Sequence, residues 1–182
     1  YPNKNIYYVI EKNSPEVKNV EPYGNVLFYK SKEHIKHVIT AERIIGSHHP
    51  DYLYPLRTKE FEKKVKAKKV FLQHGVMGTK NMVANYGQNA PGFNTDLFLV
   101  SSQGEREMII NDFYYCSEEV VVTGLSRFDS LFQDDIKTKN QLLIIPTWRE
   151  WLVRDDVFLE SEYYQTYREL VYSTDLHELA RE

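Results

Sequence analysis

Val70-Phe71-Leu72-Gln73-His74-Gly75-Val76-Met77-Gly78-Thr79-Lys80 is the stretch on which the fold turns. Val70 to Leu72 form a short continuous apolar run, the pattern of a strand covered on both faces in a parallel sheet. The run stops on Gln73-His74-Gly75 and opens into a glycine-bearing turn. Gly75 and Gly78 are expected to supply backbone angles that a side chain forbids, and to let a ligand approach the main chain. A histidine at such a strand end projects into the crevice where open α/β sheets bind their ligands.

The flanking sequence repeats strand and helix. Ile6 to Ile10 and Val26 to Tyr29 read as strands, separated by the turn signals Asn13-Ser14-Pro15 and Pro22-Tyr23-Gly24. Ser31 reads as the N-cap of a helix that carries Ile35, Val38 and Ile39 on one face. Arg43 to Ser47 is a strand leading into His48-His49-Pro50-Asp51, and Arg57 to Lys66 is helical and basic. Beyond the central strand, Asp96 to Val100 is a strand that ends on Ser101-Ser102. A helix with Met108, Ile109 and Phe113 at helical spacing follows, then a strand from Glu119 to Thr123 and a short helix capped by Ser126. This alternation predicts an α/β fold, a doubly wound and mostly parallel Rossmann-like sheet. Polar, aperiodic residues 134–140 read as a linker between a domain over 1–133 and the start of a second α/β domain over 141–182. Leu142 to Ile145 is the first expected strand of that second domain.

Composition narrows the function classes. The 182 residues are 42% hydrophobic and 27% charged, as in an ordinary soluble globular protein. A net charge of -3 gives no reason to expect nucleic acid as a partner. Cys116 stands alone, which excludes an internal disulfide and fits a reducing cytoplasm. No apolar run approaches the ~20 residues that span a bilayer, and no signal peptide is visible. A start at Tyr1 rather than methionine, and an end at Glu182 within a helical pattern, suggest a piece of a longer protein.

The polar strand ends carry the chemistry. A neutral imidazole at His74 can take a proton from an attacking hydroxyl, since histidine ionises near working pH. Gly75 to Lys80 lacks the spacing of a phosphate loop, yet its amides and Lys80 can hold an anion; a plain strand-to-helix turn is the other reading. Arg127, in Thr123-Gly124-Leu125-Ser126-Arg127-Phe128-Asp129, sits at a helix start where phosphate is favoured, or else forms a surface pair with Asp129. Thr147-Trp148-Arg149 repeats the arrangement at a later strand end. His48-His49-Pro50-Asp51 lacks a ligand cluster around it, so no metal site is assigned, and no cofactor is expected. The cations from Arg57 to Lys69 form a solvated helix face, or alternatively a surface that meets anionic lipid.

Taken together, Phe71-Leu72-Gln73-His74-Gly75 with Lys80, Thr123-Gly124 with Arg127 and Asp129, and Pro146-Thr147-Trp148-Arg149 resemble the CDP-glycerol glycerophosphotransferase family of teichoic acid synthesis. Order and spacing match over roughly residues 70 to 150. Gln73 and Val76 stand where tryptophan and threonine are common in that family. The resemblance implies a two-domain GT-B-like fold, with 1–133 as the acceptor-side domain and 141–182 as the opening of the donor domain. It implies transfer of glycerol phosphate from CDP-glycerol to a lipid-linked polyol-phosphate or sugar acceptor, with release of CMP, at the inner face of the bacterial cell membrane. His74 maps onto the family's proposed general base, and Thr147, Trp148 and Arg149 onto the motif that opens the donor domain. Without the family's later donor-binding motifs, the isolated chain is expected to be inactive. Two alternatives stay open: a GT-B glycosyltransferase or sugar-nucleotide epimerase relative, and a non-catalytic domain that binds an anionic polymer or membrane.

Overall fold

A computed structural model describes residues 5–78, 80–132, 142–146 and 149–180. The chain divides into two compact units, Tyr1–Phe132 and Gln133–Glu182.

In the first unit, β1 (Tyr8–Ile10) and β2 (Val26–Phe28) form a parallel pair, with α1 (Val17–Val20) between them in sequence. Helix α2 (Lys32–Thr40) follows, then β3 (Arg43–Gly46), α3 (Lys59–Glu62), β4 (Lys68–Phe71), α4 (Val83–Tyr86), β5 (Leu97–Val100), α5 (Gln103–Phe113) and β6 (Val120–Val122). Strands β3 to β6 make a parallel four-stranded sheet whose spatial order is the chain order. The Rossmann-like α/β expectation is met in these parallel strands and the helices between them.

Burial explains why the two middle strands are so apolar. Phe71, Phe98 and Val100 are fully buried, and Phe71 is paired with Phe98 in the register of β4 and β5. Their rings meet edge to face at 5.0 Å and 86°, and Phe93 adds a second edge contact to Phe71 at 5.1 Å. Ile109 and Phe113, four apart on α5, close this core from the helix side. Truncating either central phenylalanine to alanine costs ~3–5 kcal/mol. A second core gathers Val38, Ile44, Tyr54, Phe61 and Ala67.

The cap expected at Ser31 is formed: it accepts from the His34 amide. Ser102, read from the sequence only as a strand end, also caps, accepting from the Glu105 amide, whereas Ser126, expected as a cap, is the first residue of a 3-10 helix over Ser126–Phe132. The buried face of α2 differs from expectation: His34 and Val38 are buried, whereas Ile39 is exposed. Residues 34 and 38 lie one turn apart, and the imidazole is satisfied at both nitrogens, which makes its burial affordable. Its Nδ1 accepts from the Lys30 amide at 3.0 Å, and its Nε2 donates to the Leu53 carbonyl at 2.8 Å. The basic helix expected over Arg57 to Lys66 shrinks to the single turn of α3, capped by Thr58 and anchored by Phe61. The lysines that follow, Lys63, Lys64 and Lys66, are exposed.

The second unit, taken by itself, is helical among its described residues: α6 (Asp155–Glu160), α7 (Glu162–Val171) and α8 (Thr174–Leu179), preceded by a 3-10 turn over Glu150–Leu152. The strand expected at Leu142 to Ile145 is not formed, and Leu142, Leu143 and Ile145 are exposed. A strand is stabilised by its ladder, and no neighbouring strand is present among the described residues of this unit. The expected linker, 134–140, lies outside the described residues.

Candidate active site

Because β3 to β6 are parallel, their carboxyl ends share one edge of the sheet, and the polar residues there converge. The Leu72 amide still donates to the Gly46 carbonyl at 2.8 Å, so β4 holds its pairing one residue past the strand. Gln73 then adopts a left-handed φ of 63°. It is only 4% exposed, and its side-chain Nε2 donates to the Leu99 carbonyl at 2.6 Å. That bond ties the turn to the neighbouring strand and holds a backbone angle that costs a non-glycine residue ~1–2 kcal/mol. The expectation that Gly75 and Gly78 supply the special angles is thereby corrected. Neither glycine has a positive φ; the left-handed positions at this edge are Gln73 and Gly124, the latter at φ 74°. What Gly75 does provide is room, since an added Cβ would meet nothing within 4 Å.

His74 follows the left-handed residue. Its Nδ1 lies 3.0 Å from the Ser47 carbonyl oxygen. A carbonyl only accepts, so the bond places the ring proton on Nδ1 and leaves the Nε2 lone pair available. The ring stacks on His48 at 4.5 Å and 2°, and Tyr86 meets it edge-on at 6.1 Å. Burial raises the pKa of the Tyr86 hydroxyl, which therefore keeps its proton at neutral pH.

His74 borders an open cleft of about 510 Å³ that is also lined by Thr123, Gly124, Ser126, Arg127 and Asp129. Arg127 thus faces the same space as His74, as the strand-end pattern predicts, and is also set over the Phe128 ring at 6.0 Å. Lys80 is exposed and is not among the described residues that line this cleft. Thr147 and Trp148 lie outside the described residues. Arg149, in the second unit, sits over the rings of Tyr163 and Trp151 at 5.2 and 5.9 Å.

Sequence reasoning passed over Glu105. This side chain is 5% exposed, yet among the described residues no cation pairs with it. Its Oε1 accepts from the Met77 amide at 2.7 Å, and its Oε2 accepts from the Ser101 amide and hydroxyl at 2.6 and 2.7 Å. One carboxylate therefore fastens the loop after His74 to the end of β5. The signal was Ser102-x-x-Glu105, the spacing of a capping box; here the carboxylate turns to the neighbouring loop instead of back to Ser102.

His48 and His49 part company. The His49 Nε2 accepts from the Asn94 amide at 2.8 Å, and its Nδ1 is 3.5 Å from the Asp51 carboxylate. Burial lowers its pKa, against the opposing pull of Asp51. Among the described residues, no group of three His, Cys, Asp or Glu side chains is placed to hold a metal ion.

Residues 1–180 match the family model described as CDP-Glycerol:Poly(glycerophosphate) glycerophosphotransferase. The chain belongs to that family. Among curated proteins it is similar to the minor teichoic acid biosynthesis protein GgaB of Bacillus subtilis (strain 168), with 27% identity over 192 aligned residues. The alignment covers 96% of this chain and 21% of GgaB, so the chain spans about a fifth of that relative's length. No solved structure matches the chain.

Proposed function

We propose that this family member is the acceptor-side portion, with the opening of the donor side, of a glycerophosphotransferase in teichoic acid synthesis. The enzyme transfers glycerol phosphate from CDP-glycerol to a hydroxyl of a membrane-linked, teichoic-acid-type acceptor. The observation that carries this reading is His74, held in one tautomer at the carboxyl edge of a parallel sheet, on a cleft that Arg127 also lines. In the reaction, Nε2 of His74 takes the proton of the acceptor hydroxyl as its oxygen bonds to the β-phosphorus. The bond from that phosphorus to the bridging oxygen breaks, and CMP leaves with the bonding electrons. Arg127 and the open main chain at Gly75 offset charge on the phosphoryl oxygens, the main demand of phosphoryl transfer. Lys80 serves the phosphates from the same loop, and Thr147, Trp148 and Arg149 serve the donor.

On this reading, residues 1–133 form the acceptor-side domain, 134–140 the linker and 141–182 the first part of the donor domain. The exposed cations Arg57, Lys59, Lys63, Lys64, Lys66 and Lys68 support a peripheral position on the anionic inner face of the cell membrane. No helix among the described residues is long and apolar enough to cross a membrane. The same cations favour the second reading, a module that binds an anionic surface without chemistry.

The test is CMP release from CDP-glycerol with a lipid-linked acceptor, using the longest natural chain that carries this sequence. His74→Ala is expected to lower turnover by about 10²–10⁴-fold with folding intact, the range of a lost general base. Unchanged turnover in the variant removes His74 from the chemistry. A wild type that releases UDP from UDP-sugars and no CMP points to the glycosyltransferase alternative.

A further inference from the structure

We infer that His48 is a positioning residue: its imidazole is the plate that holds the ring plane of His74 for proton transfer. This rests on the proposed role of His74 as the base. Three observations carry it. The two rings are parallel to within 2° at 4.5 Å, the geometry of a stack rather than of a chance approach. His48 is exposed, and its Nδ1 contact is a 3.3 Å bond with the hydroxyl of the adjacent Ser47. Its ring also stacks on Tyr52 at 6.5 Å and 27°, and Tyr52 in turn lies beneath the Arg57 guanidinium at 4.7 Å.

The consequence follows from what each contact can fix. The bond from His74 Nδ1 to the Ser47 carbonyl sets the tautomer and one point of the ring. Rotation about that hydrogen bond would still swing Nε2 through an arc. A flat neighbour on the ring face removes that freedom, and the edge of Tyr86 closes another side. Ser47 and His48, consecutive after β3, thus divide the task, the first through its main chain and the second through its ring. An aromatic plate of any kind serves, because the stack uses the face of His48 and none of its protons.

The experiment compares His48→Ala, His48→Phe and wild type in the CMP-release assay, alongside His74→Ala. His48→Ala is expected to lower kcat about three- to ten-fold, the range that a stacked aromatic pair commands, with KM for CDP-glycerol unchanged. His48→Phe is expected to recover most of that loss. An unchanged kcat in His48→Ala overturns the inference, as does a Phe variant no better than Ala, or an effect confined to KM. The second readout needs no turnover. In ¹⁵N-edited NMR of the histidine rings, His74 should stay the Nδ1-protonated tautomer in all three proteins, while its ring signals should broaden in His48→Ala as the ring plane is released, and stay sharp in His48→Phe. Ring signals of His74 that ignore both substitutions overturn the plate. If His74→Ala leaves CMP release intact while these ring signals respond as expected, the stack stands and the assigned chemistry falls.

Discussion

Glu105→Gln is the sharpest test of how the His74 loop is held. Glutamine has the shape of glutamate but replaces one acceptor oxygen with an NH₂ donor. Both oxygens of Glu105 face backbone N–H groups, those of Met77 and Ser101, so neither orientation of the amide satisfies both. The less damaging orientation keeps its oxygen toward Ser101, whose amide and hydroxyl both donate, and turns NH₂ toward Met77. One charge-assisted bond is lost, worth ~1.5–3 kcal/mol, and two donors are left facing each other. Removing a buried charge returns part of its desolvation cost, so the net local destabilisation is expected at ~2 kcal/mol. Both tryptophans, Trp148 and Trp151, lie in the second unit, so intrinsic fluorescence is the wrong probe. Amide hydrogen exchange at Met77 reads the bond itself, and ~2 kcal/mol corresponds to roughly 30-fold faster exchange. An exchange rate at Met77 within about threefold of wild type would refute the reasoning, since ~0.6 kcal/mol is no more than a solvated carboxylate would contribute.

Acid should weaken the first unit through its buried histidines. Burial holds the pKa of His34 below its ordinary ~6.5, and the Lys30 amide occupies the lone pair that a proton would need. Below about pH 6.5 the unfolded chain binds protons that the folded chain refuses, so stability falls with pH by up to ~1.4 kcal/mol per unit for each such group until the folded pKa is reached. His49 adds in the same direction. Chemical denaturation from pH 7.5 to 5 should show this slope, and His34→Gln should make it shallower whatever its effect on absolute stability. At the C-terminus of α5, Tyr114 is 63% exposed and left-handed at φ 67°. Tyr114→Gly relieves that angle while surrendering little packing, so it should stabilise by ~0.5–1 kcal/mol, read as a higher urea midpoint by far-ultraviolet circular dichroism.

The parts of the fold legible in the sequence are those governed by neighbours in the chain. The apolar runs of β4 and β5, and the cap Ser31, announce themselves locally, and each takes its expected place within a residue or two. His74 and Arg127 were legible as a pair because parallel strands must deliver their ends to one edge. What escaped depended on groups distant in sequence. Glycine propensity pointed to Gly75 and Gly78, yet the left-handed angle went to Gln73, whose amide is restrained by Leu99 on the next strand. Glu105 went unnoticed because nothing local reveals that Met77 will arrive beside it. The run from Leu142 to Ile145 has strand composition, but pairing, not composition, makes a strand, and among the described residues it has none.

The chain order of strands β3 to β6 gives the cleft a modular grammar. On the proposed reading, the segment after β3 supplies the carbonyl and ring that orient the base, the segment after β4 supplies the base, and the one after β6 supplies the arginine. Each functional word stands in its own connection, outside the phenylalanine core that β4, β5 and β6 share. If those roles hold, a lengthened or rewritten segment after β6 would change which ligand the cleft accepts while leaving proton abstraction to the other two. New specificities on this scaffold can be sought one connection at a time.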